Sequence, residues 1–498
     1  MTRDGAPERG ALGTPGKGAL RQSFAAAILV LLVALPARAQ VDGHVSVIVD
    51  ALPDIDEAAG RQSVVETRVR LFAERHDELG THLRFNISGY VDGLIADRGY
   101  PAEAGLHVGP RGLTADAIAR PADLFVDIVT RHFDLRAGAA RLVWGRLDEF
   151  QPTDVVNPID LSRFLMEGRS EARLPVGLVR ARTFLPRSTT LEAVVVPHFR
   201  RGRFDQLDEP SSPFNLTRAM GIPDRLRQGY GGPPELYAKA EGTLYEPIAE
   251  GIPEGMPYER VRDEPSGSES LQGGLRLTTT TARVDWSVSA YRGRRAFPIL
   301  GRRSAEREGG STLAAGTEPQ SFVIRESFPR FTMIGADFET VRGLWGIRGE
   351  VAAFVEDELQ SLRALGGVPG RSINGGIGID RRAGDYRIAA NVLWSRSDVD
   401  ESDPAAQSFV GDEEVERTDV SLVLAGDRSF ARETRTLRLF AVYDPAESTA
   451  FMRVIGAVSV RDNVWLEGSA GVFAGSSLDV IGRLTRRDFF YARLKVFF

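Results

Sequence analysis

Apolar and polar side chains alternate with a period of two along unusually long stretches of this chain, and that period restricts what it can fold into. Between residues 82 and 95, Leu83, Phe85, Ile87, Gly89, Val91, Gly93 and Ile95 fall on one side of an extended backbone. Arg84, Asn86, Ser88, Tyr90 and Asp92 fall on the other. The same division sets Val65, Thr67, Val69, Leu71 and Ala73 against Glu66, Arg68, Arg70, Phe72 and Glu74. It sets Ile347, Gly349, Val351, Ala353 and Val355 against Arg348, Glu350, Ala352, Phe354 and Glu356, and it returns around Met452 to Arg461. One such segment fits a half-buried strand of a soluble sandwich equally well. Runs of about nine to thirteen residues, however, exceed the usual soluble strand and match what a tilted strand needs to cross a bilayer's hydrocarbon. About seventeen such segments satisfy their backbone groups together only if the sheet closes on itself in lipid.

Connections give an independent check. Short links near Asp77 to Gly80, Phe133-Asp134, Pro186 to Ser188, Arg342-Gly343, Ala383 to Asp385, Ala431 to Glu433 and Arg461 to Asn463 alternate with longer stretches. The longer ones lie at about 97–120, 147–174, 200–270, 295–330, 357–372 and 398–417, and outer-membrane barrels alternate short periplasmic turns with long extracellular loops in this way. If Asp77 to Gly80 is periplasmic, one strand must precede the first clear one, and residues 44–51 supply it. The expected fold is all-β: a transmembrane antiparallel up-and-down β-barrel of 18 strands, with 16 as the alternative count.

Both ends of the chain agree. Residues 24–35, Phe-Ala-Ala-Ala-Ile-Leu-Val-Leu-Leu-Val-Ala-Leu, follow Lys17 and Arg21 and precede Ala37-Arg38-Ala39. This reads as a secretory signal peptide over residues 1–39, too short for a membrane-spanning helix, with the barrel occupying 40–498. At the other end, Phe490, Leu494, Val496 and Phe498 share the outward row of a final strand ending in Phe, which resembles the signal read by the barrel assembly machinery. There is no Cys, which excludes a lipid anchor on cysteine, disulfides and thiolate metal sites. The net charge of −6 speaks against nucleic acid as a partner.

Around residues 134–205 the chain reads Arg141-Leu142-Val143-Trp144-Gly145-Arg146, then Val156-Asn157-Pro158-Ile159-Asp160-Leu161, then Leu174-Pro175-Val176 and Leu191 to Pro197. This resembles a large family of proteobacterial outer-membrane proteins with a domain of unknown function, distantly similar to alginate-export-type and porin-like barrels. In that family a Trp-Gly strand end leads into an Asn-Pro-x-Asp loop and a Leu-Pro strand start. The resemblance implies movement of a small or hydrophobic molecule across the outer membrane.

The stretch 147–174 mixes Leu161, Phe164, Leu165 and Met166 with Asp160, Arg163, Glu167, Arg169, Glu171 and Arg173, content that suits a segment folded into a lumen more than a floppy surface loop. Candidates for the pore constriction are Asp160, Arg163 and Arg169, with the inward-facing Glu66, Arg68, Arg70, Arg84 and Asp92; opposed charges there would set a field across the pore. The alternative is that they pair and solvate the lumen. The six His have no metal-ligand spacing, no G-x-S-x-G elbow occurs, and Gly375-Gly376-Ile377-Gly378 lies in a strand pattern, so no catalytic, cofactor or metal site is expected. Acidic stretches at Asp54/Asp56/Glu57 and Asp398/Asp400/Glu401/Asp403 read as surface charge, with divalent ions bridging lipopolysaccharide as the alternative. Pro210 to Pro265 reads as part of a long outer loop with little regular structure. The expected function is an outer-membrane channel for small solutes, not an enzyme, with lipid, lipopolysaccharide, the assembly machinery and the solute as partners. A transporter of hydrophobic compounds is the alternative, followed by a barrel-anchored hydrolase or a surface scaffold.

Overall fold

The computed structural model describes residues 41–52, 64–97, 113–148, 150–160, 169–203, 258–304, 322–361, 364, 366–413, 415–475, 481, 484 and 488–498. In chain order its strands are β1 (Val41–Leu52), β2 (Val64–Leu79), β3 (Leu83–Asp97), β4 (Leu113–Val129), β5 (Phe133–Ala140), β6 (Val176–Leu185) and β7 (Thr189–Val196). Next come β8 (Tyr258–Asp263), β9 (Gln272–Thr280), β10 (Asp285–Arg294), β11 (Ile299–Ser304), β12 (Phe322–Ser327), β13 (Arg330–Arg342) and β14 (Trp345–Ser361). The last are β15 (Gly366–Ala383), β16 (Tyr386–Val399), β17 (Thr418–Phe430), β18 (Arg435–Asp444), β19 (Thr449–Arg461), β20 (Val464–Ala474) and β21 (Phe489–Phe497).

Eighteen of these form one sheet that follows chain order and closes on itself. The seam joins the first strand to the last: β1 pairs antiparallel with β21 from His44↔Phe497 to Ala51↔Phe490. Gly43 N–H donates to the Phe498 carbonyl at 3.1 Å, and Phe498 N–H donates back to Gly43 at 3.1 Å. No sheet edge therefore remains at the seam.

Burial is inverted relative to a soluble protein. Ile334, Ile377 and Ile388 on the outer face are 59, 56 and 65 % exposed, while Asp337, Glu350 and Asn391 beside them on the inner face are buried. The apolar outer row wants hydrocarbon and the inner row is polar, the arrangement of a membrane barrel. The protein is a transmembrane β-barrel. No described helix is long and apolar enough to cross a membrane.

Three departures from the sequence reading have local causes. First, residues 281–284 form a tight turn between β9 and β10 without the Gly, Asn or Asp that usually marks one. Thr281 closes it, its hydroxyl donating to Val284 O (2.6 Å) and accepting from Val284 N–H (2.9 Å). Second, β14 and β15 continue as a hairpin through most of the stretch 357–372. A register shift between Phe354 and Asp357 inserts one residue on β14, with Glu356 at φ 54°, and reverses the phase, so that Asp357 and Leu359 become the buried side chains. Third, β8, β11 and β12 form a separate three-stranded sheet in the order β11-β12-β8, with β12 and β8 parallel. A strand thus stands at 258–263, where little regular structure was expected.

Candidate functional site

Beyond Ala140 the backbone leaves the wall. Arg141 N–H donates to Asp123 Oδ1 at 3.0 Å, so the Asp123 carboxylate ends the β4–β5 ladder. Residues 141–148 and 150–160 then form a shelf along the inner faces of β6, β7, β9, β10 and β13 to β16. Three buried polar side chains shape it. Asn157 accepts from Leu142 N–H (2.7 Å) and donates to Ala140 O (3.0 Å) and Leu174 O (2.8 Å), joining the shelf's start to its return. Asp154 accepts from Trp144 N–H (3.2 Å) and pairs with Arg173. Glu350, on β14, accepts from Arg146 N–H (3.0 Å), Leu147 N–H (3.3 Å), Thr153 N–H (2.7 Å) and the Thr153 hydroxyl (2.7 Å).

Three glycines make this approach feasible. Gly145 has φ +90°, and a Cβ there would lie 2.5 Å from Glu350 Oε1. Gly376 and Gly378 leave the inner face of β15 open for Leu147, whose Cδ1 would lie 2.8 Å from a Cβ at Gly376. The glycine-rich run of β15 therefore receives the shelf. Trp144, 1 % exposed, donates from Nε1 to Glu192 at 2.7 Å and meets Tyr291 edge-on at 5.9 Å.

Charge fastens the shelf along its length. Arg276 and Arg146 share Asp337 at 3.0 and 2.7 Å; Arg146 also reaches Glu339 at 3.3 Å, which pairs with Arg348 at 2.9 Å. Arg348 and Arg387 hold Asp148 at 2.7 and 2.6 Å. These alternating charges tie residues 146 and 148 to β9, β13, β14 and β16, each pair in a shielded setting where its attraction exceeds that of a surface pair.

Between the shelf and the walls of β6, β7 and β9 lies a cavity of about 410 Å³ lined by Trp144, Arg146, Arg180, Arg182, Glu192 and Arg276, among others. Arg182 pairs with Asp134. Arg180 differs: it is 8 % exposed, and its Nε has no hydrogen-bond partner among the described residues.

The residues singled out from sequence divide into groups. Arg70 and Asp92 are brought together by a bidentate bond of 2.6 and 2.9 Å, and Arg70 also stands 4.7 Å above the Tyr90 ring. Glu171, in the short helix α1 (Arg169–Ala172), approaches Arg70 at 3.8 Å, so the returning chain reaches the wall opposite β14. Arg68 is buried beside them on β2. Asp160 bonds Arg120 (3.2 Å) and Arg203 (3.0 Å). Arg84 stands apart at the β2–β3 turn, paired with Glu78 at 3.0 Å. For Glu66 and Arg169 only the backbone is described, in β2 and α1, and Arg163 lies outside the described residues.

Phe490, Leu494, Val496 and Phe498 all face outward and are exposed. Asp398 pairs with Arg396 at 2.8 Å within β16, while Asp400 accepts from Ser402 and Asp403 accepts from Ala405 N–H, fastening the turn that follows. Among the described residues no group of three potential ligands could hold a metal. Asp54, Asp56 and Glu57 lie outside the described residues. Sequence reasoning did not single out Arg146, Asp148, Arg180, Arg276 or Asp337. Glu350 was visible as an inward residue without a role, and Arg146 stood in the Trp-Gly-Arg run.

The chain is similar to several solved barrels at low identity. OccAB4 of Acinetobacter baumannii matches with 9 % identity over 93 % of this chain and 98 % of its own, at a TM-score of 0.48. OccK9 (OpdG) of Pseudomonas aeruginosa matches with 11 % identity over 93 and 98 %, TM-score 0.45. A BenF-like porin from Pseudomonas fluorescens Pf-5 matches with 8 % identity over 93 and 98 %, TM-score 0.45. No curated protein sequence matches the chain. Residues 119–377, from β4 through the shelf to β15, match the family described as "Protein of unknown function (DUF1302)". That match covers more than half of the sequence, and the chain belongs to the DUF1302 family.

Proposed function

We propose that the protein is a passive channel for small hydrophilic solutes, narrowed by the shelf and by α1, and that it favours small anions. The observation that carries the preference is the environment of Arg180. Most shielded arginines of the lumen are matched to a carboxylate and add little net field. Arg180 is buried without a carboxylate partner among the described residues, and it lines a cavity large enough for a small organic anion, with Arg182 and Arg276 beside it. A desolvated donor of this kind favours a charged acceptor from the solute. Its position at the shelf makes the preference one of passage rather than of surface attraction. The outward row Phe490, Leu494, Val496 and Phe498 serves the same reading as the strand offered to the assembly machinery.

The test is single-channel conductance of residues 40–498 refolded into planar bilayers, with the reversal potential measured in a salt gradient and repeated with residues 150–172 deleted. Steady, anion-selective conductance that increases on deletion is the expected result. A folded barrel that stays silent in both forms would overturn the channel reading and leave a lateral hydrophobic route or an anchoring role.

A further inference from the structure

Two arginines of the periplasmic rim differ in their partners from most arginines of the lumen. Inside, Arg70, Arg146, Arg276, Arg348 and Arg387 each hold at least one carboxylate. On the outer face at the periplasmic ends of β15 and β17, Arg381 and Arg428 are exposed, and among the described residues no carboxylate pairs with either. The acidic side chains in the adjoining turns, Asp385 and Glu433, form no ion pair with them.

Both guanidinium groups are held over aromatic rings instead. Arg381 stands 5.1 Å from the centroid of Trp345, its register partner on β14. Arg428 stands 4.4 Å from Tyr386, its partner on β16, and 4.3 Å from Phe430 two residues along β17. The rings fix the cations in the outward row, in line with the apolar belt of Ile377, Ile379, Ile388 and Leu424. β16 alone separates β15 from β17, and Arg381 is level with Gly426, two residues from Arg428, so the two backbone positions lie about 12 Å apart, room for two adjacent lipid headgroups. A cation above a girdle ring, beside hydrocarbon on one side and water on the other, lacks only an anion at headgroup depth.

We propose that Arg381 with Trp345, and Arg428 with Tyr386 and Phe430, form a binding site on the outside of the barrel for anionic glycerophospholipids in the periplasmic leaflet, each arginine taking the phosphate of one lipid. The phosphodiester oxygens accept from the guanidinium groups, and the acyl chains lie along the belt above. The site is separate from the lumen and does not depend on what the channel carries.

The experiment is native mass spectrometry of the intact barrel in detergent after incubation with phosphatidylglycerol or phosphatidylcholine, for wild type, R381Q/R428Q and R381K/R428K. Heat-modifiable migration confirms that each variant is folded, and Arg187→Gln, in the turn between β6 and β7, serves as a rim control. Wild type and the control are expected to retain phosphatidylglycerol over phosphatidylcholine. R381Q/R428Q should lose about thirtyfold in that preference, equivalent to about 1 kcal/mol for each arginine, and the lysine pair should retain part of it. Equal retention by wild type and R381Q/R428Q would overturn the proposal. So would full displacement by inorganic phosphate, which would identify the ligand as a free anion rather than a lipid.

Discussion

Replacing Glu350 with Ala tests whether the shelf is what narrows the lumen. The carboxylate takes three backbone N–H groups and one hydroxyl from residues 146, 147 and 153, and it is buried. Alanine strands all four donors beside β14. At about 1 kcal/mol for each orphaned donor, the low end of the measured range, docking loses roughly 4 kcal/mol, or about a thousandfold in the ratio of docked to released shelf. Two features keep the loss local. The barrel ladder at Glu350 runs through backbone pairs with Asp337 and Gly376, which the substitution leaves intact. The remaining ion pairs of Arg146 and Asp148 oppose complete release, so a fluctuating shelf is expected rather than an absent one. In planar bilayers E350A should show larger mean conductance with frequent transitions between levels, while heat-modifiable migration stays that of a closed barrel. A folded E350A barrel with wild-type conductance and quiet traces would refute the reasoning, because the shelf would then be either undisturbed or not the narrow point.

Gly145→Ala approaches the same contact from the other side: the added methyl meets Glu350 Oε1 and the backbone sits at φ +90°, so it should reproduce the E350A traces in weaker form. Arg180→Met removes the buried guanidinium edge and should lower the anion-to-cation permeability ratio without changing heat-modifiable migration; an unchanged reversal potential would sink the anion preference. Deleting Phe498 removes two seam hydrogen bonds to Gly43, a loss of about 2 kcal/mol, and should lower the temperature at which the barrel loses its heat-resistant migration. Mass spectrometry of protein exported by a Gram-negative host should give a chain that begins at Gln40.

Strand number, direction and facing were legible because a membrane barrel repeats one rule along every strand. Thr67 to Ala73 and Leu83 to Gly93 follow it without interruption, and parity alone recovered β1. The rule fails where the chain slips by one residue, as at Glu356, because the same alternation then points the other way. It also fails at Thr281 to Val284, where a hydroxyl replaces the glycine or asparagine that marks most turns.

The lumen was less legible. Arg70 and Asp92 face each other because register pairs them across β2 and β3, a local relation that sequence carries. Asp148 and Arg387 meet across 239 residues, and nothing in either neighbourhood announces the other. Mixed apolar and charged content pointed to the segment as a whole. Which wall each charge meets is set by the path of residues 141–148 inside the closed barrel, and no local period encodes that path.

The seam has a consequence for the order of events in biogenesis. Because β1 finds its second neighbour only in β21, the first strand keeps an open edge until the final nine-residue strand, Phe489–Phe497, is in place. No truncated intermediate forms a ring, and every unfinished sheet offers two edges to other chains. The contact that completes the molecule joins residues at opposite ends of the sequence, the costliest loop the chain must close. Closure is therefore the natural slow step, and holding the two edges apart from other strands until then is the task that any assembly partner of this barrel must perform.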